Sequence, residues 1–179
     1  MGKITSNFFI SLDGVVESPD QWHFSYFNDE MGAAIGQGMA TTDAFLMGRV
    51  LYSEWSEYWP QHDEGDEFGQ FINRTPKYVL SSTLTEASWH NTTVVSGDVA
   101  AQVREIKAAT ERDITMSGSA TTVRWLLAEG LLDELNLLVH PVAVGHGKRL
   151  FEEGPTQSLK LVNSSTFSTG VLHLTYAPA

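Results

Sequence analysis

The first strand announces itself by alternation. Ile4, Phe8, Ile10 and Leu12 fall on alternate positions, Ser6 completes the row, and Asp13-Gly14 stops it. A polar, aromatic stretch follows to Phe27. The run NDEMGAAIGQGMA then predicts a helix, with Asn28 as its cap and Asp29 and Glu30 placing negative charge in the first turn. AFLM (44–47) reads as a short buried strand and residues 50–58 as a helix rich in aromatics. The most acidic segment, PQHDEGDEFGQ (60–70), predicts a surface excursion. KYVLSST (77–83) and TTVV (92–95) are strands, and Val99, Val103 and Ile106, spaced by four and then three, mark a helix ending near Thr110. DIT precedes Met116 as a strand, and TVRWLLAEGLL follows as a helix. ELNLLVHPVAV is a further strand, and LKLVNSSTF with GVLHLTYAP forms a terminal antiparallel pair.

Strands alternating with helices and closed by a hairpin predict one α/β domain over residues 1–179, with a mainly parallel sheet and an antiparallel edge. Its 42% hydrophobic and 18% charged residues suit a soluble globular chain with a real core. A net charge of −11 argues against nucleic acid and anionic membranes as partners. Any anionic ligand must therefore be held by local donors against the overall field. Without cysteine, disulfides and thiolate metal sites are excluded. The chain runs straight into its first strand with no signal-peptide pattern, so a cytoplasmic location is expected.

Two strand-to-helix junctions carry the candidate chemistry. In open α/β sheets, ligands bind beyond the carboxyl ends of strands, where helix N-termini present free N–H groups. In FLMGRVLY, Gly48 lets the backbone approach a ligand and Arg49 adds a charge. In MSGSATTV, Gly118 reaches backbone angles closed to other residues and Ser119 opens a helix. Together they would suit a diphosphate, although each alone also reads as an ordinary helix cap. Neither is the G-x-G-x-x-G fingerprint, and GHGKR (145–149) lacks phosphate-loop spacing. Ser81, Ser82 and Thr83 end the YVL strand. With Arg49 they could hold a phosphate monoester, or they form a plain Ser/Thr turn. His62 among Asp63, Glu64, Asp66 and Glu67 reads as a solvated acidic face, so no metal is expected, and His140 before Pro141 reads as structural.

The ordered set SLDG, LMGRVLYSEW, KYVLSSTL, MSGSATTVRWLL and LLDELNLLVHPVAVGHGKRLF resembles the dihydrofolate reductase-like superfamily. It is most similar to the stand-alone branch related to the reductase domain of the bacterial bifunctional riboflavin-biosynthesis enzyme. The resemblance covers residues 3 to 176. It implies a three-layer fold, a central mixed sheet with helices on both faces, NADPH across the strand ends, and a homodimer. Gly48 and Arg49, followed by Val50, match the family's MGR, which meets the cofactor phosphates. Ser81, Ser82 and Thr83 match the segment holding the adenosine and its 2′-phosphate. Ser117, Gly118 and Ser119 match the glycine motif, with Ala120 and Thr121 under the pyrophosphate. Arg49 with the hydroxyl run favours NADPH over NADH.

Asp13 and Gly14 would begin the loop over the nicotinamide, with Val16 near the ring and Asp13, Trp22 and His23 beside the substrate. Two departures stand out. Folate reductases carry a cis Gly-Gly pair where this chain has Ser117-Gly118, and their helical carboxylate has only Asp29 or Glu30 as counterpart, with no pattern to fix the register. The implied activity is NADPH-dependent reduction of a small, flat, polar heterocycle or a carbonyl or imine. The alternatives are a non-catalytic nucleotide-binding protein, a purely structural module and a true dihydrofolate reductase.

Overall fold

The computed structural model describes residues 1–179. From the N-terminus, β1 (Ile4–Ser11) leads through a long loop to α1 (Asp29–Thr41), β2 (Thr42–Gly48), α2 (Arg49–Tyr58) and α3 (Glu67–Arg74). Then come β3 (Lys77–Leu80), β4 (Thr92–Val95), α4 (Val99–Ala109), β5 (Asp113–Met116) and α5 (Ala120–Ala128). The chain closes with β6 (Glu134–His140), β7 (Leu159–Thr166) and β8 (Leu172–Pro178). All eight strands share one sheet in the order β4-β3-β2-β5-β1-β6-β8-β7. The pairs from β4 to β6 are parallel, while β8 lies antiparallel between β6 and β7. The mostly parallel sheet with its antiparallel C-terminal hairpin is thus the predicted architecture. No helix is long and apolar enough to cross a membrane.

The alternation in β1 sorts the two faces of the sheet. Ile4, Phe8 and Ile10 pack with Val103 of α4 and Val123 and Leu126 of α5 in the larger core. Leu12, the last member of the row, lies beyond the strand and is 70% exposed, because the chain turns at Gly14 with φ +85°. The other face carries two separate cores. Phe45, Met47, Ile72 and Val79 pack under α2 and α3, and Met31 of α1 packs with Phe167 and Val171. Between them runs a polar stripe on neighbouring strands, where Thr115 Oγ1 lies 2.6 Å from Thr42 Oγ1 and 3.4 Å from Thr5 Oγ1.

Several elements differ from expectation: β3 ends at Leu80 rather than Thr83, and α5 at Ala128 before the Gly130 turn. The acidic excursion contains α3, capped by Asp66, whose carboxylate accepts from Gly69 N. Phe68, Phe71 and Ile72 had the helical spacing, and Ile72 is fully buried. Strand β6 stops at His140 because Pro141 has no N–H to continue a ladder. Behind α3, Lys77 is buried at the start of β3 and donates to the carbonyls of Ile72 and Thr75, each at 2.8 Å. Burial lowers its pKa to about 8.

Candidate functional site

Strands β2 and β5 are neighbours, so their carboxyl ends bring the two glycine junctions together. A Cβ on Gly48 would stand 2.7 Å from Thr122 Oγ1 and 3.7 Å from Ser119 Oγ. A side chain at position 48 would force the Thr122 hydroxyl aside or push the starts of α2 and α5 apart. Gly118 has φ +109°, and a Cβ there would lie 3.1 Å from Cε1 of Phe8. The peptide between Gly118 and Ser119 is cis. The motif's special bond therefore falls one residue beyond the Ser117-Gly118 pair named from the sequence.

Helix capping separates these two helices from the others. Asn28, Asp66 and Asp98 each accept a backbone N–H in the first turn of α1, α3 and α4. Gly48 has no side chain to do so for α2. At α5, the Ser119 hydroxyl lies 3.2 Å from Thr122 Oγ1 and makes no cap bond. The opening N–H groups of both helices are thus left for an external acceptor, including those of Ala120 and Thr121. Arg49, at the start of α2 beside Val50, is exposed and in no ion pair. By contrast Lys3, Arg104, Lys107, Arg112, Arg124, Lys148 and Arg149 all face carboxylates.

At the neighbouring end of β3, Leu80 pairs with Gly48. Beyond it, the Ser81 hydroxyl accepts from Thr83 N at 3.2 Å and Leu84 N at 2.9 Å. Ser81 thus builds the turn, and the exposed Ser82 and Thr83 are the members free to meet a ligand.

The loop after β1 places its acids differently from expectation. Asp13 accepts from Ser11 Oγ (2.6 Å), Val144 N (2.9 Å) and Gly145 N (2.8 Å), with Arg149 at 3.8 Å. The Ser11 bond, then those from Val144 and Gly145, hold its carboxyl well below the usual carboxylate range. Asp13 therefore clasps the GHGKR segment and has little left for a substrate. Val15 bridges Arg149, and Val16 donates its N–H to Lys148 O while packing on the larger core.

Glu30 accepts from Ser168 N (2.7 Å), Ser168 Oγ (2.6 Å) and Asn28 Nδ2 (2.8 Å). The Ser168 bonds lower its pKa, so it is an ionised tie between α1 and the turn before β8. Asp29 is exposed. The helical repeat turns Met31, at 0% exposure, toward the sheet instead.

One polar group is not singled out by the sequence, and two named separately there prove to be neighbours. Thr5, Asn7, Phe9 and Ser11 share one face of β1, so Asn7 lies between the α1 core and the threonine stripe, and it is partly exposed. Only the apolar row of β1 drew attention. The neighbours are an imidazole pair, His23 in the loop and His140 at the end of β6, with ring centroids 6.1 Å apart and planes at 89°. Trp22 meets His140 edge-on at 5.2 Å. Burial lowers the pKa of both histidines from 6.5, and His140 itself adds to the effect on His23.

A pH dependence follows. The folded-state values lie below the unfolded value, so their stability contribution is complete above pH 6.5 and is lost as pH falls through the folded values. The slope reaches at most about 1.4 kcal/mol per pH unit for each histidine. Urea midpoints should therefore fall between pH 7 and 5. Constant midpoints across that window would contradict a neutral buried pair.

Comparison with known proteins bears on the family and the fold. A family model described as the RibD C-terminal domain matches residues 2–173. The Bacillus subtilis (strain 168) protein YyaP, itself uncharacterized, is 28% identical over 97% of this chain and 94% of its own length. A putative riboflavin biosynthesis protein from Shewanella sp. PV-4 superposes with a TM-score of 0.80 at 22% identity, over 99% of both chains. The Thermotoga maritima diaminohydroxyphosphoribosylaminopyrimidine deaminase/5-amino-6-(5-phosphoribosylamino)uracil reductase superposes at 0.68 and 14% identity, over 99% of this chain and 57% of its own.

Proposed function

Because the chain belongs to the RibD C-terminal domain family, we propose that it is an NADPH-dependent reductase of a small, flat, polar heterocycle of pyrimidine or pterin type, or of a related carbonyl or imine. The observation that carries this proposal is the meeting of two uncapped helix starts across Gly48, with an unpaired arginine beside them. These residues fit a dinucleotide phosphate. The N–H groups of Ala120 and Thr121, with Ser119, would receive the diphosphate. Arg49 with Ser82 and Thr83 would hold the 2′-phosphate by charge-assisted bonds. When bound, the cofactor supplies hydride to the carbon of a C=N or C=O group.

The protein's part is orientation and exclusion of water. In this reading Val16 and the loop from Leu12 to Phe27 would cover the ring of the bound cofactor, and Asn7 would offer an amide beside it. Since Glu30 is held ionised, we assign the accompanying proton to an ordered water rather than to that carboxyl. Loss of absorbance at 340 nm with an aminopyrimidine or dihydropterin in a substrate panel would support the reductase. Saturable NADPH binding with no oxidation across the panel would make the protein a nucleotide-binding protein instead.

Dimerisation belongs to the same proposal. Strand β7 is a sheet edge with Leu161 and Val162 at 49% and 55% exposure, a template for pairing with a second copy. Sedimentation as a monomer at micromolar concentration would contradict it.

A further inference from the structure

The loop segment Ser18–Phe27 is attached to the protein in an unusual way. Its backbone bonds are all internal: Gln21 N to Ser18 O, Trp22 N and His23 N to Pro19 O, Tyr26 N to His23 O and Phe27 N to Phe24 O. Trp22 Nε1 reaches only Glu17 O, at 3.3 Å. Both flanks are anchored, through Val16 N to Lys148 O on one side and Asn28 Nδ2 to Ser168 Oγ on the other. Ser18 adopts φ +46°, a left-handed turn at the first hinge. Between the anchors, the segment is held by aromatic rings alone.

The central ring is His23. It stacks on Phe9 of β1 at 4.5 Å and 21°, and Phe24 meets it tilted at 4.2 Å and 38°. Phe9 is thus the floor on which the imidazole lies, while Phe24, 66% exposed, meets it at a tilt from the same segment. The imidazole Nδ1 is buried without a partner. Facing it, His140 is 0% exposed, with Nδ1 2.7 Å from Leu138 O. A carbonyl only accepts, so Nδ1 carries the hydrogen and Nε2 keeps a bare lone pair. That atom is also buried and unpartnered, among the rings of Phe9, Trp22, His23 and Tyr26. Buried acceptors are rarely left unpaired in a working protein: a water, an ion or a ligand completes them.

We propose that His140 Nε2 is the acceptor that orients the substrate, and that the His23 side chain occupies the substrate's ring slot until the Ser18–Phe27 segment swings away. This deepens the reductase reading and rests on it. With the segment displaced, the face of Phe9 is left for one flat ring, and the lone pair selects a heterocycle bearing a ring N–H or an amino group at its edge. His140 is a positioning residue in this scheme, and His23 competes with the substrate.

The test is calorimetric titration of 5,6-diaminouracil into the NADPH-loaded protein, comparing wild type with H23A, H140N and H140Q. H23A vacates the slot and should bind the probe at least fivefold more tightly. H140N keeps a donor toward Leu138 O but removes the Nε2 acceptor, and should lose at least tenfold. H140Q returns an oxygen near the Nε2 position and should recover most of that loss. NADPH affinity should change by less than twofold throughout. Probe binding to H23A that is absent, unchanged or weaker than wild type overturns the proposal, as does full binding by folded H140N. Failure of NADPH to bind the wild-type protein would instead sink the underlying reductase reading.

Discussion

Replacing Gly118 with alanine is expected to weaken NADPH binding more than tenfold and lower stability together. At φ +109° an alanine is strained by about 1–3 kcal/mol wherever its side chain goes. The new Cβ would also stand 3.1 Å from Phe8 Cε1, and Phe8 is a core residue at 7% exposure with little freedom to withdraw. Relief requires the backbone between Met116 and Ala120 to move, which carries the N–H groups of Ala120 and Thr121 off the ligand position. A denaturant midpoint lowered by about 1–3 kcal/mol, with NADPH affinity reduced more than tenfold, is the expected pair of results. The control is Gly36→Ala within α1, where nothing lies within 4 Å of the added carbon. That change should be neutral or stabilising by up to about 1 kcal/mol, with binding untouched. Unimpaired NADPH binding by G118A would show that this junction does not carry the cofactor.

Arg49→Ala should separate the two nicotinamide cofactors. The molecule carries a net charge of −11, so a doubly charged 2′-phosphate finds no general attraction and depends on local cations. Hydrogen bonds to charged groups contribute about 1.5–3 kcal/mol each, so NADPH affinity should fall by roughly ten- to a hundredfold. NADH lacks the 2′-phosphate and should change by less than about threefold. The measured loss should shrink as salt rises, because the contact is exposed and screened. Equal losses for both cofactors would refute the assignment of Arg49.

Much of this was legible in the sequence, and the limits have physical causes. The parallel sheet was visible because buried strands and amphipathic helices have different periods, and because the glycine junctions follow strands. That Gly48 and Ser119 meet was not readable, since strand order decides it, and β2 lies next to β5 only in the folded sheet. Helix α3 was hidden by its acidic neighbours, although the spacing of Phe68, Phe71 and Ile72 held the signal. The acids of α1 misled for a local reason: first-turn carboxylates favour the helix dipole whatever else they do. Met31, which faces the sheet, looked like any core residue. Ser81 is a turn builder through N–H groups two and three residues on, the turn the sequence offered as an alternative, whereas Asp13 is a clasp whose N–H partners lie far away in sequence. His140 reads as structural from its place in a strand before Pro141, while its unpaired Nε2 is a property of the assembled aromatic cluster.

The most direct test of the central claim is a paired titration of the wild-type protein with NADPH and NADH, followed by the fluorescence of its five tryptophans. Saturable binding of NADPH at micromolar concentration, at least tenfold tighter than NADH, is the predicted result. Equal affinity for the two, or no binding of either, would contradict the cofactor site built from Gly48, Arg49, Ser82 and the Ser117–Thr121 junction.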